Sequence, residues 1–507
     1  MVDFKKKVKG AIDSDRASSG VMTALVIAVV MVVNAILFTL TEAFGWQFSY
    51  TDKYDYSLSG TTDELFAEAI EKGKKVKISF CMGEDEVSVH STGSEVYTTV
   101  KNFAERYGDF IELDFINIIT KQDENGNLVN LSKYQKDMDG NENRILKTSI
   151  IFECGKNYRV ITDNVTSAGF ATFFNLDSSL YVNSYNGEEV VAAMISWVLA
   201  DEHKTAYFTQ YHGETAEISF SNLLVCAGYE VDTIDLRQNK VPDDCDLLVI
   251  SNPTSDFEAA KEGSGVIAEL DKLEAYIERG GNILVTLDPY VKGLPVLEGV
   301  LAKHGIKFST TELSDGRVVR NMIKESSEAI MLDGFTFVAD YSEAKIGAEI
   351  GETVSKYSDG KVILRDASAL ELSGNAEPVL LSSETARLEA GGTVVSKTGS
   401  YAVAAASEYV TESGEVARIF VVPSIYLAVS DSLITNGYSN KDFIYSIFDV
   451  FYGAEGMPYG CNAVVYSSQI LENLTMGTAR LYTLIVLAIP AAIASVGAVV
   501  IIRRKNR

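Results

Sequence analysis

The sequence predicts an α/β protein: two extracytoplasmic α/β domains with mostly parallel sheets and a β-rich insertion, flanked by one transmembrane helix at each end. Three observations predict it. Apolar runs at 204–209, 245–251 and 282–288 alternate with helical apolar spacing at 218–227 and 265–279, the pattern of strands covered on both faces by helices. Residues 21–40 (VMTALVIAVVMVVNAILFTL) and 481–502 are apolar over stretches long enough to cross a bilayer core of about 30 Å. Lys5, Lys6, Lys7 and Lys9 precede the first stretch and Arg503, Arg504 and Lys505 follow the second. The positive-inside rule then puts both termini in the cytoplasm, anchors the chain in the cell membrane and leaves the bulk outside it.

Taken in order, residues 1–20 read as a basic cytoplasmic tail and 21–42 as the first span. A cleaved signal peptide has a shorter apolar region and a small-residue cleavage site, and 39–46 offers no clean one, so an uncleaved anchor is favoured. Residues 43–200 form the first α/β domain, with helices at 63–71 and 94–107, strands at 75–81 and 110–119, a strand pair at 147–154 and 158–162, and a helix at 187–200. Residues 201–310 form the second α/β domain, 311–400 a β-rich insertion, and 401–455 the completion of the second domain. A tether at 456–479 leads to the second span at 480–502 and a cytoplasmic tail at 503–507; Pro490 is tolerated in a membrane helix.

The 507 residues have room for two or three domains, and 47% hydrophobic with 22% charged residues is ordinary for a folded chain. The formal charge of −26 argues against nucleic acid as a partner, since phosphate binding needs clustered Lys and Arg; a solvated acidic surface is its plain account. Five widely spaced cysteines without a Cys-x-x-Cys favour small buried side chains over a disulfide or a metal site. The acidic stretch 123–143 lacks the glycine position and closing Glu of a calcium loop and fits a solvated turn better. Gly263, Gly265 and Ala268 imitate a dinucleotide fingerprint but follow no strand, so no cofactor is expected. No Gly-x-x-x-x-Gly-Lys-Ser/Thr, Gly-x-Ser-x-Gly or His-Glu-x-x-His occurs, so neither ATP hydrolysis nor another recognisable catalytic set is expected.

One candidate site remains: His212, Gly213, Glu214, Asn252 and Asp288, each at the carboxyl end of a predicted strand, where open α/β sheets place ligands. An imidazole with two carboxylates can hydrogen-bond a polyol such as a sugar, or take part in acid–base work. The same residues also fit a structural account, with Glu214 favouring a helix N-terminus, Gly213 a tight turn and Asp288-Pro289 a strand end.

The motifs His212-Gly213-Glu214 and Gly280-Gly281-Asn282-Ile283-Leu284-Val285-Thr286-Leu287-Asp288-Pro289, with the entry Tyr54-Asp55-Tyr56-Ser57-Leu58-Ser59-Gly60-Thr61-Thr62, resemble the extracytoplasmic domain of the gliding-motility ABC transporter auxiliary family (GldG-like) over roughly 20–310. The resemblance implies a membrane-anchored, non-ATPase auxiliary component of an ABC-type transport system, partnered by a permease subunit and a separate ATPase subunit in the lipid bilayer. The second reading is a cell-surface glycan-binding or glycan-hydrolysing, amidotransferase-like protein with a glycan or envelope ligand. Cys226 falls within a predicted helix and Cys245 at a strand start, which suits neither as a nucleophile at a strand-to-helix elbow.

Overall fold

The computed structural model describes residues 56–466 except 137–141, 163–168, 177–181, 216–217, 260–266, 327–333, 359, 428–432, 434–437, 453–455 and 462. The first α/β unit comprises α1 (Thr61–Glu71), β1 (Val76–Phe80), α2 (Gly93–Arg106), β2 (Ile111–Phe115), β3 (Ile150–Cys154), β4 (Asn157–Ile161) and α3 (Gly187–Leu199). Its sheet runs β2-β1-β3-β4, with β1 and β2 parallel and the other neighbours antiparallel. Helix α3 is covered on nearly every side: each residue from Gly187 to Val198 except Ser196 is buried, and beyond Glu188 and Glu189 the run is almost wholly apolar. Its Val191 and Ile195 share one core with Phe80 and Phe152 of the first sheet and with residues of the second.

The second unit begins with β5 (Lys204–Thr209), α4 (Ile218–Cys226), β6 (Tyr229–Ile234), β7 (Cys245–Ser251), α5 (Glu269–Glu278), β8 (Asn282–Thr286) and α6 (Pro295–Lys303). It continues through β9 (Thr336–Tyr341), α7 (Lys345–Tyr357), β10 (Val362–Arg365), β11 (Leu370–Leu372), β12 (Ala376–Leu381), β13 (Ala402–Val410), β14 (Val416–Val422) and α8 (Asn440–Tyr452). The main sheet runs β10-β9-β12-β13-β14-β8-β7-β5-β6. From β14 to β6 every neighbouring pair is parallel, and from β14 to β10 every pair is antiparallel.

Side chains alternate between two cores along the parallel strands, as the period of two requires. Ala206, Phe208, Leu247, Val249 and Leu284 join α4, α3 and α8 on one face. Leu248, Ile250, Ile283 and Val285 join α5 and α6 on the other. The helix after β5 therefore covers one face and the helix after β7 the opposite face, although β5 and β7 are neighbours. That reversal is a topological switch point, and it falls between the carboxyl ends of β5 and β7.

Three expectations are corrected. The expected spans at 21–42 and 480–502 lie outside the described residues, and among those described no helix is long and apolar enough to cross a membrane. The longest labelled helix, α2, has 14 residues, which at about 1.5 Å per residue falls well short of a bilayer core of about 30 Å. The described residues therefore give no support to the flanking transmembrane helices or to the membrane placement expected from them. The sheets are mixed rather than mostly parallel. The segment 311–400 is not a separate β-rich insertion, since its strands β9, β10 and β12 extend the main sheet and it carries the thirteen-residue helix α7.

Candidate functional site

The loop after β5 is shaped by two left-handed residues, Tyr211 at φ +80° and Gly213 at φ +72°. A Cβ on Gly213 would stand 2.0 Å from Thr254 Oγ1, so glycine is required there on both counts. This turn faces His212 inward. Its ring stacks on Phe257 at 4.0 Å, and the residue is 3% exposed.

Two carboxylates hold the ring. Glu214 Oε1 lies 2.9 Å from Nδ1, while Glu269 Oε1 and Oε2, at the start of α5, lie 3.0 and 3.1 Å from Nε2. Ionised carboxylates only accept, so this arrangement suits a ring in which both nitrogens donate, the imidazolium form. Burial alone lowers the imidazole pKa, but the hydrogen bonds to Glu214 and Glu269 outweigh it and hold His212 above the ordinary histidine range. Burial likewise raises Glu214, and its hydrogen bond to His212 overcomes that, holding the carboxyl below its usual range. The His212 and Glu258 amides donate to Glu214 Oε2 at 2.6 Å and Glu269 Oε2 at 2.8 Å, offsetting the surplus negative charge.

Backbone bonds tie the two switch-point loops together. Thr254 and Ser255 amides donate to the His212 carbonyl at 2.9 and 2.8 Å, and Thr215 donates to the Ser251 carbonyl at 3.1 Å. His212, Gly213 and Glu214 are thereby brought beside the Asn252 loop. Asp288 stands after β8, one strand further along, where its carboxylate accepts the Tyr290 amide at 2.8 Å.

The strand-end face carries more than sequence reasoning found. Among the described residues, Lys121, Tyr211, Asn252 and Asp366 are the non-glycines with positive φ, and the last three border these strand ends. Thr209 Oγ1, Asn252 Oδ1, Thr286 Oγ1 and Ser368 Oγ are buried without a hydrogen-bond partner. The last three lie on backbone joined by hydrogen bonds: Asn252 donates to the Thr286 carbonyl at 2.9 Å, Leu287 to Val422 at 3.2 Å and Ser368 to Pro423 at 3.2 Å. Tyr290, 65% exposed, donates its hydroxyl to Asp366 Oδ1 at 2.9 Å, and Tyr211 is 61% exposed. Glu269 had one local signal, an acid in the first turn of the helix following the second switch-point strand. Phe257, Thr209, Thr286, Asp366 and Ser368 had none.

Among the described residues no nucleophile–base pair forms here. Both His212 nitrogens are committed to carboxylates, and Ser251 Oγ donates to the Thr215 carbonyl at 2.9 Å rather than to an imidazole. Burial raises the thiols of Cys81, Cys154, Cys226, Cys245 and Cys461, those of Cys81 and Cys245 to about 12, so none is a ready thiolate. Among the described residues no group of three or more His, Cys, Asp or Glu is arranged to hold a metal ion.

No family model matches the chain, and no curated protein does. Among solved structures, the N-terminal domain described as mmIFT52 is 13% identical, with TM-score 0.36, covering 50% of this chain and 99% of that one. PurLQS from Thermotoga maritima is 14% identical, with TM-score 0.27, covering 49% and 99%. A thua-like protein from Bacteroides uniformis ATCC 8492 is 12% identical, with TM-score 0.29, covering 50% and 93%. Likeness at these TM-scores bears on neither activity nor ligand.

Proposed function

We propose that the second unit is a ligand-binding α/β domain that takes a carbohydrate-type polyol on its strand-end face and does not cleave it. The observation that carries the reading is the gathering of strained backbone and unpaired polar atoms on that one face. Positive φ at Tyr211, Asn252 and Asp366 is costly for side-chain-bearing residues, roughly 1–3 kcal/mol each, and such strain concentrates at binding sites. Buried hydroxyl and amide oxygens without partners are costly as well, by about 1–3 kcal/mol each, unless a ligand or water satisfies them. A polyol supplies the donors those oxygens lack, and the exposed rings of Tyr211 and Tyr290 supply flat apolar surfaces for its C–H faces. The His212 clamp is read as the brace that holds the two loops in place rather than as a reacting group.

The test is calorimetric titration of the full chain with mono-, di- and trisaccharides of glucose and N-acetylglucosamine. Saturable binding is expected, weakened at least about fivefold, or about 1 kcal/mol, by Tyr211→Ala and by Asp366→Asn, with no release of reducing sugar. Absence of saturable binding across the panel, or binding indifferent to both substitutions, rules the reading out.

A further inference from the structure

A second concavity of about 530 Å³ lies between the β6–β7 connection and helix α5. None of the candidate residues above lines it, although its Arg237 guanidinium lies over the Tyr211 ring, 4.2 Å from the centroid. Arg237, Lys240, Lys272 and Arg279 line it, with Asp271 as its one carboxylate, in a chain whose formal charge is −26. Four cations on one wall of so acidic a molecule are not the expected background.

Their partners leave positive charge over. Asp235 takes Arg237 through two contacts, at 2.9 and 3.0 Å, and Asp243 is shared by Lys240 and Arg279, each at 2.9 Å. Lys272 Nζ donates to the backbone carbonyls of Leu236 and Arg237, which accept protons but do not neutralise its charge. Ile267, 66% exposed, lines the same concavity with Val241 and Ala275, so apolar surface stands beside the cations.

We infer that this groove binds a small organic anion, a phosphate or carboxylate carried on an apolar body. The volume falls within the several hundred Å³ of small-molecule sites. The anionic group belongs beside Lys272, the cation without a carboxylate, and the apolar body belongs against Ile267. Neither requirement is met by a neutral sugar, so this groove and the strand-end face take different ligands.

The experiment titrates the full chain with phenyl phosphate, inorganic phosphate and benzyl alcohol, followed by calorimetry and by the salt dependence of binding. Phenyl phosphate is expected to bind at least tenfold more tightly than either half-molecule, and its affinity should fall as salt rises. Lys272→Met should weaken it at least fivefold, and so should Ile267→Asp, an exposed change that leaves the core untouched. Unchanged thermal unfolding verifies that both variants fold. Equal binding of benzyl alcohol, no binding of phenyl phosphate, or insensitivity to both substitutions overturns the inference. Loss of sugar binding has no bearing on it.

Discussion

His212 is the residue on which the two switch-point loops depend, because one ring answers two buried carboxylates. Replacing it with Ala leaves Glu214 and Glu269 buried without their cation, a change that costs about 3–5 kcal/mol in comparable buried pairs. Equilibrium urea unfolding of His212→Ala should show a loss of that size, and a loss under 1 kcal/mol would remove the clamp from the account. The clamp also has a pH signature. His212 is raised in the folded state, so its stabilisation is complete below the unfolded imidazole value, about 6.5, and is lost as pH rises through the higher folded value. Glu214 is lowered, so its stabilisation is complete above about 4.3 and is lost as pH falls through the lower folded value. Unfolding free energy should therefore decline on the alkaline side of about pH 6.5 in the native chain and lose that slope in His212→Gln. The His-Gly-Glu triplet was legible in the sequence because a glycine between two chemically capable residues marks a turn. Glu269, 57 positions away, was not, since only the fold brings it to Nε2.

Helices α3 and α8 meet through a buried ion pair, Lys441 Nζ to Glu189 Oε1 at 3.4 Å, with the Tyr445 hydroxyl donating to the same oxygen. Lys441 also donates to the Cys461 carbonyl, so one ammonium joins α8 both to the first unit and to the chain beyond it. Lys441→Ala should destabilise by about 3–5 kcal/mol, because it abandons Glu189 in a low-dielectric core. The double change Lys441→Met with Glu189→Leu should recover much of that loss, since a pair replaced by apolar groups of similar volume is often neutral. A double-mutant cycle by urea titration measures the difference, and additive losses would show that the two groups do not act as a pair. Helix α3 was legible from its long apolar run, whereas α7 was missed. Its sequence KIGAEIGETVSKY carries Gly347 and Gly351, which lower helix propensity, and tertiary packing explains them. A Cβ on Gly347 would meet Ser342 at 2.9 Å, and one on Gly351 would meet the Tyr341 ring at 2.9 Å.

The parallel half of the main sheet was readable from its unbroken apolar runs, but strand order was not, because pairing between β14 and β8 joins segments more than a hundred residues apart. The same long-range closure decides how the molecule unfolds. Two α/β units in one chain ordinarily unfold as separate domains. Here the first sheet, through Ile78, Phe80 and Phe152, and the second, through Leu247, Val249 and Leu284, belong to a single core with α3 between them. Val190, Val191, Met194, Ile195 and Val198 of α3 are all buried, each worth about 1.5–3 kcal/mol relative to exposure, so neither unit can leave the other without uncovering part of that surface. The two units are accordingly expected to unfold in one transition. Trp197 reports on α3, being stacked on His203 at 3.7 Å, and with Trp46→Phe it is the sole tryptophan. Its fluorescence, far-UV circular dichroism and amide-exchange protection of β1, β3, β8 and β14 should all be lost at the same urea concentration. Protection surviving in β8 and β14 after it has vanished from β1 and β3 would mean that α3 divides two domains instead of joining them.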